Sequence, residues 1–246
     1  MQSRRGEPCP PPLGAVRMKD RRDLWEESYR RRENFLFYPN EEVIRFAARH
    51  VRRRVGLDAF ADVDPTVRKI LDLGCGVGRH MAFIHEMGLH PWGIDLSAEA
   101  VAVARGWLSA RGLAEADSRA VQGDVRHLPW EDDHFDAVLS HAVLDSMPFD
   151  FAAQAVGECA RVLRADGLFY CDLISGDETG RSPDFADEVV VDKSHERGTI
   201  QSYFDPAKIE RLLQPHFTLQ SSTLVRHIDG ASGRHRGRWH VVSRRA

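Results

Sequence analysis

Three glycines and three carboxylates stand at spacings that suit a nucleoside. In Lys69-Ile-Leu-Asp-Leu-Gly-Cys-Gly-Val-Gly78, an apolar run passes through Asp72 and ends in glycines at 74, 76 and 78. Glycines permit backbone conformations and close approaches that side chains block, and a helix starting there offers free N–H groups to an anion. Asp95 closes the next apolar run, where a carboxylate can accept hydrogen bonds from both hydroxyls of a ribose. Asp124-Val125 closes a third; a carboxylate there can receive the exocyclic amine of adenine while the apolar neighbour packs on the ring. The dinucleotide fingerprint G-x-G-x-x-G wants a glycine where Arg79 stands, which disfavours a nicotinamide-linked oxidoreductase. The three tips suit one nucleoside with a charged tail.

Residues that could move a proton follow the fourth apolar run. His141 and Asp145 are spaced i, i+4, so a helical turn would put both on one face, with the carboxylate orienting the imidazole. The plainer alternatives are that His141 packs beside the ligand and Asp145 caps the next turn. His195, on an expected hairpin over the cleft, is a further candidate base and equally a solvated turn residue. No metal site is expected, because His80, His85 and His90 are five apart and fan out around a helix, and Asp145 and Asp172 are not assigned to a metal. Cys75 reads as packing within the glycine loop, and Cys159 and Cys171 fall on core faces. Four cysteines without a CxxC pair give neither a disulfide framework nor a zinc knuckle.

These groups need a scaffold, and the pattern supplies one. Residues 1–20, with Cys-Pro-Pro-Pro, are expected as a disordered tail. Residues 20–33 form a charged helix with Trp25 and Tyr29 on one face, followed by an aromatic turn. Asn40 caps a second helix, with Val43, Phe46, Ala47 and Val51 at helical spacing and Arg52-Arg53-Arg54 closing it. From Val67 onward strands alternate with helices: strands at 67–73, 90–96, 118–125, 135–143 and 168–174, helices at 79–88, 98–112 and 151–167. Such alternation demands right-handed crossovers and a parallel, doubly wound α/β sheet of Rossmann type. Beyond it come a polar loop at 175–186, a hairpin from 187–192 and 198–204, and a helix at 205–216 with Pro206 in its first turn. Strands at 217–227 and 236–245 then supply an antiparallel C-terminal edge. The expected division is a tail (1–20), an N-terminal helical lid (21–66) and a main domain (67–246), with 175–204 inserted over the acceptor side.

Composition narrows the classes. Of 246 residues, 42% are hydrophobic and 29% charged, enough for a core and too ordered a mix for wholesale disorder. No run approaches the roughly 20 apolar residues of a membrane span, and the N-terminus has no apolar signal core, so a cytoplasmic protein is expected. The net charge of −3 hides a split: 14 basic against 8 acidic residues in 1–56, 15 against 29 in 57–230, and 5 against none in 231–246. Basic ends on an acidic body can meet phosphates or an acidic partner, although solvated faces explain them as well. Nucleic acid is disfavoured because aromatic interleaving is sparse.

With DLGCGVG (72–78), GIDLS (93–97), GDV (123–125), FDAVLSHAVLDSMP (135–148) and the RVLRADGLF element, the chain resembles the class I S-adenosylmethionine-dependent methyltransferases, closely over about 67–173. The resemblance implies S-adenosylmethionine as cofactor, S-adenosylhomocysteine as product and no metal. It places Asp72, Gly74, Cys75, Gly76 and Gly78 at the methionyl part, Asp95 at the ribose, Leu96, Asp124 and Val125 at adenine, and Ser140 and His141 beneath the sulfonium. Tyr29, with Trp25 and Tyr38, would belong to a lid whose rings attract the sulfonium; equally, they anchor the helix to the domain. Ser140-His141-Ala142-Val143 replaces the Asn/Asp-Pro-Pro-Tyr element of amide-nitrogen enzymes, so a small-molecule or glycan-like acceptor methylated at oxygen is the expectation. The rival readings are an RNA enzyme using the basic ends and a non-catalytic adenosyl-binding regulator.

Overall fold

The computed structural model describes residues 18–192 and 198–246. Helix α1 (Met18–Arg30) begins inside the segment expected as a tail, and residues 1–17 lie outside the described residues. Helix α2 (Glu41–His50) starts where Asn40 accepts from the Glu42 N–H at 2.9 Å, with Glu41 and Glu42 at the positive end of the dipole. Its buried face, Val43, Phe46 and Ala47, packs on Tyr170 and Ile84.

The arginine triplet corrects the expectation that it closes this helix. Arg52–Arg54 is a strand, β1, paired antiparallel with β2 (Phe60–Asp62). The two strands are joined through a bend at Gly56, Leu57 and Asp58, and Arg52 Nη1 donates to the Met87 carbonyl at 2.8 Å. The cation therefore serves the end of α3 (Arg79–Glu86), not that of its own helix.

Next come β3 (Lys69–Leu73), β4 (His90–Asp95), α4 (Ala98–Ala110), a single turn α5 (Ala116–Arg119), β5 (Ala120–Gln122), β6 (Phe135–Ser140), α6 (Phe149–Val162) and β7 (Leu163–Ile174). Several bounds differ from the pattern: β6 ends at Ser140 and not at residue 143, α6 starts at Phe149, and β7 starts at Leu163 and not at residue 168. β5 is shorter than 118–125 because α5 takes up its start. α6 stops at Val162 instead of running to Gly167, since Leu163 is already extended and pairs with Phe135. Gly167 belongs to β7, where a Cβ would lie 2.8 Å from the Arg164 carbonyl oxygen.

The insertion forms the expected hairpin, β8 (Glu188–Val190) against β9 (Ile200–Ser202). Helix α7 (Pro206–Leu213), capped by Asp205, leads to β10 (Phe217–Ile228) and β11 (His235–Arg245). The seven-stranded sheet runs β10-β11-β7-β6-β3-β4-β5, parallel from β7 to β5 and antiparallel at β11 and β10. The fold is an α/β Rossmann-like one, as expected, and its parallel strands aim their C-terminal tips at one edge. A ligand belongs there, where the strand order reverses on either side of β3. Leu71, Leu73, Phe135, Val138 and Phe169 are among the side chains buried on α6 and α7, and Ile70, Leu139 and Tyr170 face α2 and α3. No helix among the described residues is long and apolar enough to cross a membrane.

Candidate active site

The glycine loop between β3 and α3 holds left-handed backbone at Gly74, Gly76 and Gly78, with φ of 68°, 53° and 84°. Side chains would also collide there. A Cβ on Gly74 would stand 2.4 Å from Val143 Cγ2, and one on Gly76 2.6 Å from the Tyr29 hydroxyl. Asp95, at the tip of β4, ties the loop down. One carboxylate oxygen accepts from the Gly76 N–H at 2.8 Å and the other from the Ser97 N–H at 2.9 Å. Burial pushes this acid up to about 6, against the pull of those two hydrogen bonds.

One cavity gathers the tips. Gly74, Asp95, Leu96, Asp124 and Val125 line it from β3, β4 and β5; Ala142, Val143, Ser146 and Met147 line it from the segment after β6; Trp25 and Tyr29 roof it from α1. The roof is held on both sides. Glu26 accepts from the Ser97 hydroxyl at 2.7 Å, and Arg21, itself buried, donates to the Ser146 carbonyl at 3.2 Å. The space left under it is about 90 Å³. Asp124 is gripped by Arg126, with Nη2 at 2.8 Å, which together with nearby Arg21 holds the carboxyl below its ordinary range despite burial.

Several expected residues stand elsewhere. Cys75 points back against Gly93 and Met81, and Gly78 lies under Ala104. The Ser140 side chain is fully buried, its hydroxyl without a hydrogen-bond partner among the described residues. Asp72 sits in β3 behind the loop, with Oδ1 3.6 Å from His80 Nδ1. His195 lies outside the described residues.

His141 and Asp145 do not pair. Arg79 Nη2 stands 3.2 Å from His141 Nδ1, and a guanidinium can only donate, so Nδ1 accepts. That leaves Nε2 to carry the proton, facing Asp172 Oδ2 at 3.3 Å. Burial lowers this imidazole to about 3, against the pull of Asp172. Asp145 instead meets Arg238 Nη1 at 2.9 Å and the Ile174 N–H at 2.9 Å, and burial raises its carboxyl. Arg238 also reaches Asp172 Oδ2 at 2.8 Å, and Asp172 accepts from the Ala142 N–H at 2.6 Å. The i, i+4 spacing fails because Ala142 turns left-handed at φ 57°, so no helical turn begins at His141. Asp172 and Arg238, absent from the sequence-based set, were marked only by their places: near the end of β7, and on β11 opposite Ile174, two residues further along β7. Among the described residues no cluster of three His, Cys, Asp or Glu side chains could hold a metal.

The family described as "Methyltransferase domain" matches residues 71–171, the span from β3 to β7 that carries the loop and all three acidic tips. Residues 71–171 are a methyltransferase domain. The chain is 36% identical over 108 residues to Methyltransferase GfsG of Streptomyces halstedii, covering 43% of this chain and 38% of that protein. It is 32% identical over 103 residues to the malonyl-[acyl-carrier protein] O-methyltransferase of Pectobacterium atrosepticum, covering 41% of this chain and 36% of that protein. The chain thus spans less than two fifths of the length of either curated relative. Among solved structures, the Burkholderia thailandensis 1,6-didemethyltoxoflavin-N1-methyltransferase, with its substrate and S-adenosylhomocysteine bound, superposes with a TM-score of 0.62 at 21% identity. That match covers 92% of this chain and 87% of the other, so the likeness of fold reaches well beyond the methyltransferase domain to the flanking elements.

Proposed function

We propose that the protein transfers a methyl group from S-adenosylmethionine to a small-molecule or glycan-like acceptor, at oxygen. The observation that carries this reading is the convergence of Gly74, Asp95, Leu96, Asp124 and Val125 on one cavity. The donor set fits the cofactor. Asp95 keeps acceptor capacity beyond its two backbone donors, since a carboxylate offers about four lone-pair sites, whereas both oxygens of Asp124 are taken by Arg126, a grip that must loosen for Asp124 to receive an amine. Leu96 and Val125 offer apolar contact for a base, and Gly74 brings the glycine loop's backbone to the cavity, where a charged tail can approach it. The space does not yet suffice, because ligand sites of this kind run to roughly 300–1,000 Å³. Admission therefore requires α1 to lift, carrying Trp25 and Tyr29 with it; once returned, the two rings would face the sulfonium.

When bound, the cofactor supplies an electrophilic methyl group on a sulfonium that leaves as a neutral thioether. The chain has to align the acceptor and exclude water. His141 is poorly suited to take the acceptor's proton, because both ring nitrogens face charged partners and burial keeps the ring neutral. This supports an acceptor that arrives with its nucleophile ready, such as a carboxylate or phenolate oxygen. The substitution of Ser140-His141-Ala142-Val143 for the amide-nitrogen element supports the same choice.

The test is calorimetry with S-adenosylhomocysteine, followed by release of that product from S-adenosylmethionine over a panel of phenols, carboxylic acids, sugars and amines. Saturable binding with turnover on oxygen acceptors is expected. Turnover on amines alone would overturn the oxygen assignment, binding without any turnover would favour a regulator, and no binding would end the reading.

A further inference from the structure

A second cleft, of about 530 Å³, lies on the same edge of the sheet as the strand tips, where the β10–β11 turn meets the segment leaving β7. Arg234, Arg236, His227 and His235 line it, with Glu178 and Asp229. The segment is stitched to the hairpin by the Thr179 N–H donating to the His235 carbonyl at 2.9 Å and the His235 N–H donating to the Thr179 hydroxyl at 2.7 Å. The walls are therefore set by backbone.

The carboxylates around this cleft are all engaged. Asp229 accepts from the Ala231 and Ser232 N–H groups and the Ser232 hydroxyl, at 2.7–3.0 Å. Glu178 is paired with Arg181 at 2.6 Å and receives the Tyr203 hydroxyl. Asp177, buried at the base, holds Arg226 and has His235 Nε2 at 3.1 Å. The guanidiniums of Arg234 and Arg236, by contrast, have no ion pair or hydrogen bond among the described residues, and His227 stands directly across the strand pair from Arg236. Counting each lining group with its partner, four guanidiniums (Arg181, Arg226, Arg234, Arg236) stand with three carboxylates (Asp177, Glu178, Asp229).

We propose that this cleft binds the phosphoryl group of a phosphorylated small molecule, a site separate from the strand-tip cavity and independent of the methyl-transfer reading. Two guanidinium forks with the His227 imidazole beside them form a donor set that suits an anion with several acceptor oxygens, while the Ser232 hydroxyl and the His235 ring are already engaged by Asp229 and Asp177. The volume leaves room for the remainder of an ester. The basic C-terminal stretch, five arginines without a carboxylate in 231–246, thereby finds one chemical use near its start.

The test titrates the full chain with inorganic phosphate and with glycerol phosphate at fixed chloride, beside the double variant Arg234→Gln/Arg236→Gln. Saturable binding weakened at least tenfold in the double variant is expected, with S-adenosylhomocysteine affinity within twofold in both proteins. Tighter binding of the ester would show that the cleft reads more than the phosphoryl group; equal affinities would show that it reads the phosphoryl group alone. Either supports the site. Absence of saturable binding to both compounds, or equal affinity in the double variant with an unchanged thermal midpoint, overturns it. Both side chains are exposed, so the variant should fold.

Discussion

Asp95→Asn separates what the carboxylate does for the fold from what it does for a ligand. In the wild type, burial raises this acid from 3.8 to about 6. That gap of roughly two pK units corresponds to about 3 kcal/mol. The sign follows from proton counting. The unfolded chain loses the proton near pH 4, the native one holds it to about pH 6, and between these the native state binds more protons, so stability falls as pH rises. Asparagine does not titrate. Its amide oxygen can keep one of the two backbone donors, Gly76 or Ser97, and loses the other at a cost of about 1–2 kcal/mol. The variant should therefore be the less stable protein near pH 4, by about 1–2 kcal/mol, and the more stable one near pH 7 by a similar margin. Urea denaturation at both pH values reads the crossing. A stability difference that stays constant across this range refutes the argument. On the ribose reading, the same variant should bind S-adenosylhomocysteine roughly tenfold to a hundredfold more weakly at pH 7, the worth of a charge-assisted hydrogen bond.

Gly76→Ala should lower stability by about 1–3 kcal/mol, through a positive φ and the contact with Tyr29; adding Tyr29→Phe should recover part of the loss, as thermal midpoints would show. Arg238→Met leaves Asp145 and Asp172 buried without their shared cation, so a loss of about 3–5 kcal/mol is expected at neutral pH. The loss should shrink in acid as the carboxyls protonate, and a pH-independent deficit would contradict it. His141→Gln should keep turnover within a fewfold; a hundredfold fall at unchanged S-adenosylhomocysteine affinity would restore this imidazole as a base. The same variant should resist acid better than the wild type, because an imidazole lowered to about 3 cannot charge in the native state as pH drops below its ordinary value near 6.5.

The legible parts of the molecule were those with local causes. The Asn40 and Ser97 caps, the glycine loop and the alternation from β3 to β7 each follow from a few neighbouring residues, and the structure bears them out. The arginine triplet did not read correctly, because a cation near a helix end is satisfied as well by another helix's carbonyls, here Met87 of α3. The partners of His141 could not be read at all. Asp172 is 31 positions away and Arg238 a further 66, and they meet only because β11 inserts beside β7. The strand tips were legible as a group since parallel strands must end on one side, whereas the roof's close seating depended on Tyr29 finding Gly76.

That seating has a kinetic side. Tyr29 packs with Val77 and Ala100 in a small apolar cluster of its own, beside the main core, while Glu26 and Arg21 fasten the helix at either flank. Any guest of the cavity must wait for these contacts to part, so encounter rates should fall below the diffusional value and observed affinity should be the intrinsic one reduced by the rarity of the open form. The same fastening would slow the exit of a used guest. Catalytic tempo would then be governed by how often a thirteen-residue helix lets go, a property of α1 and not of the chemistry beneath it.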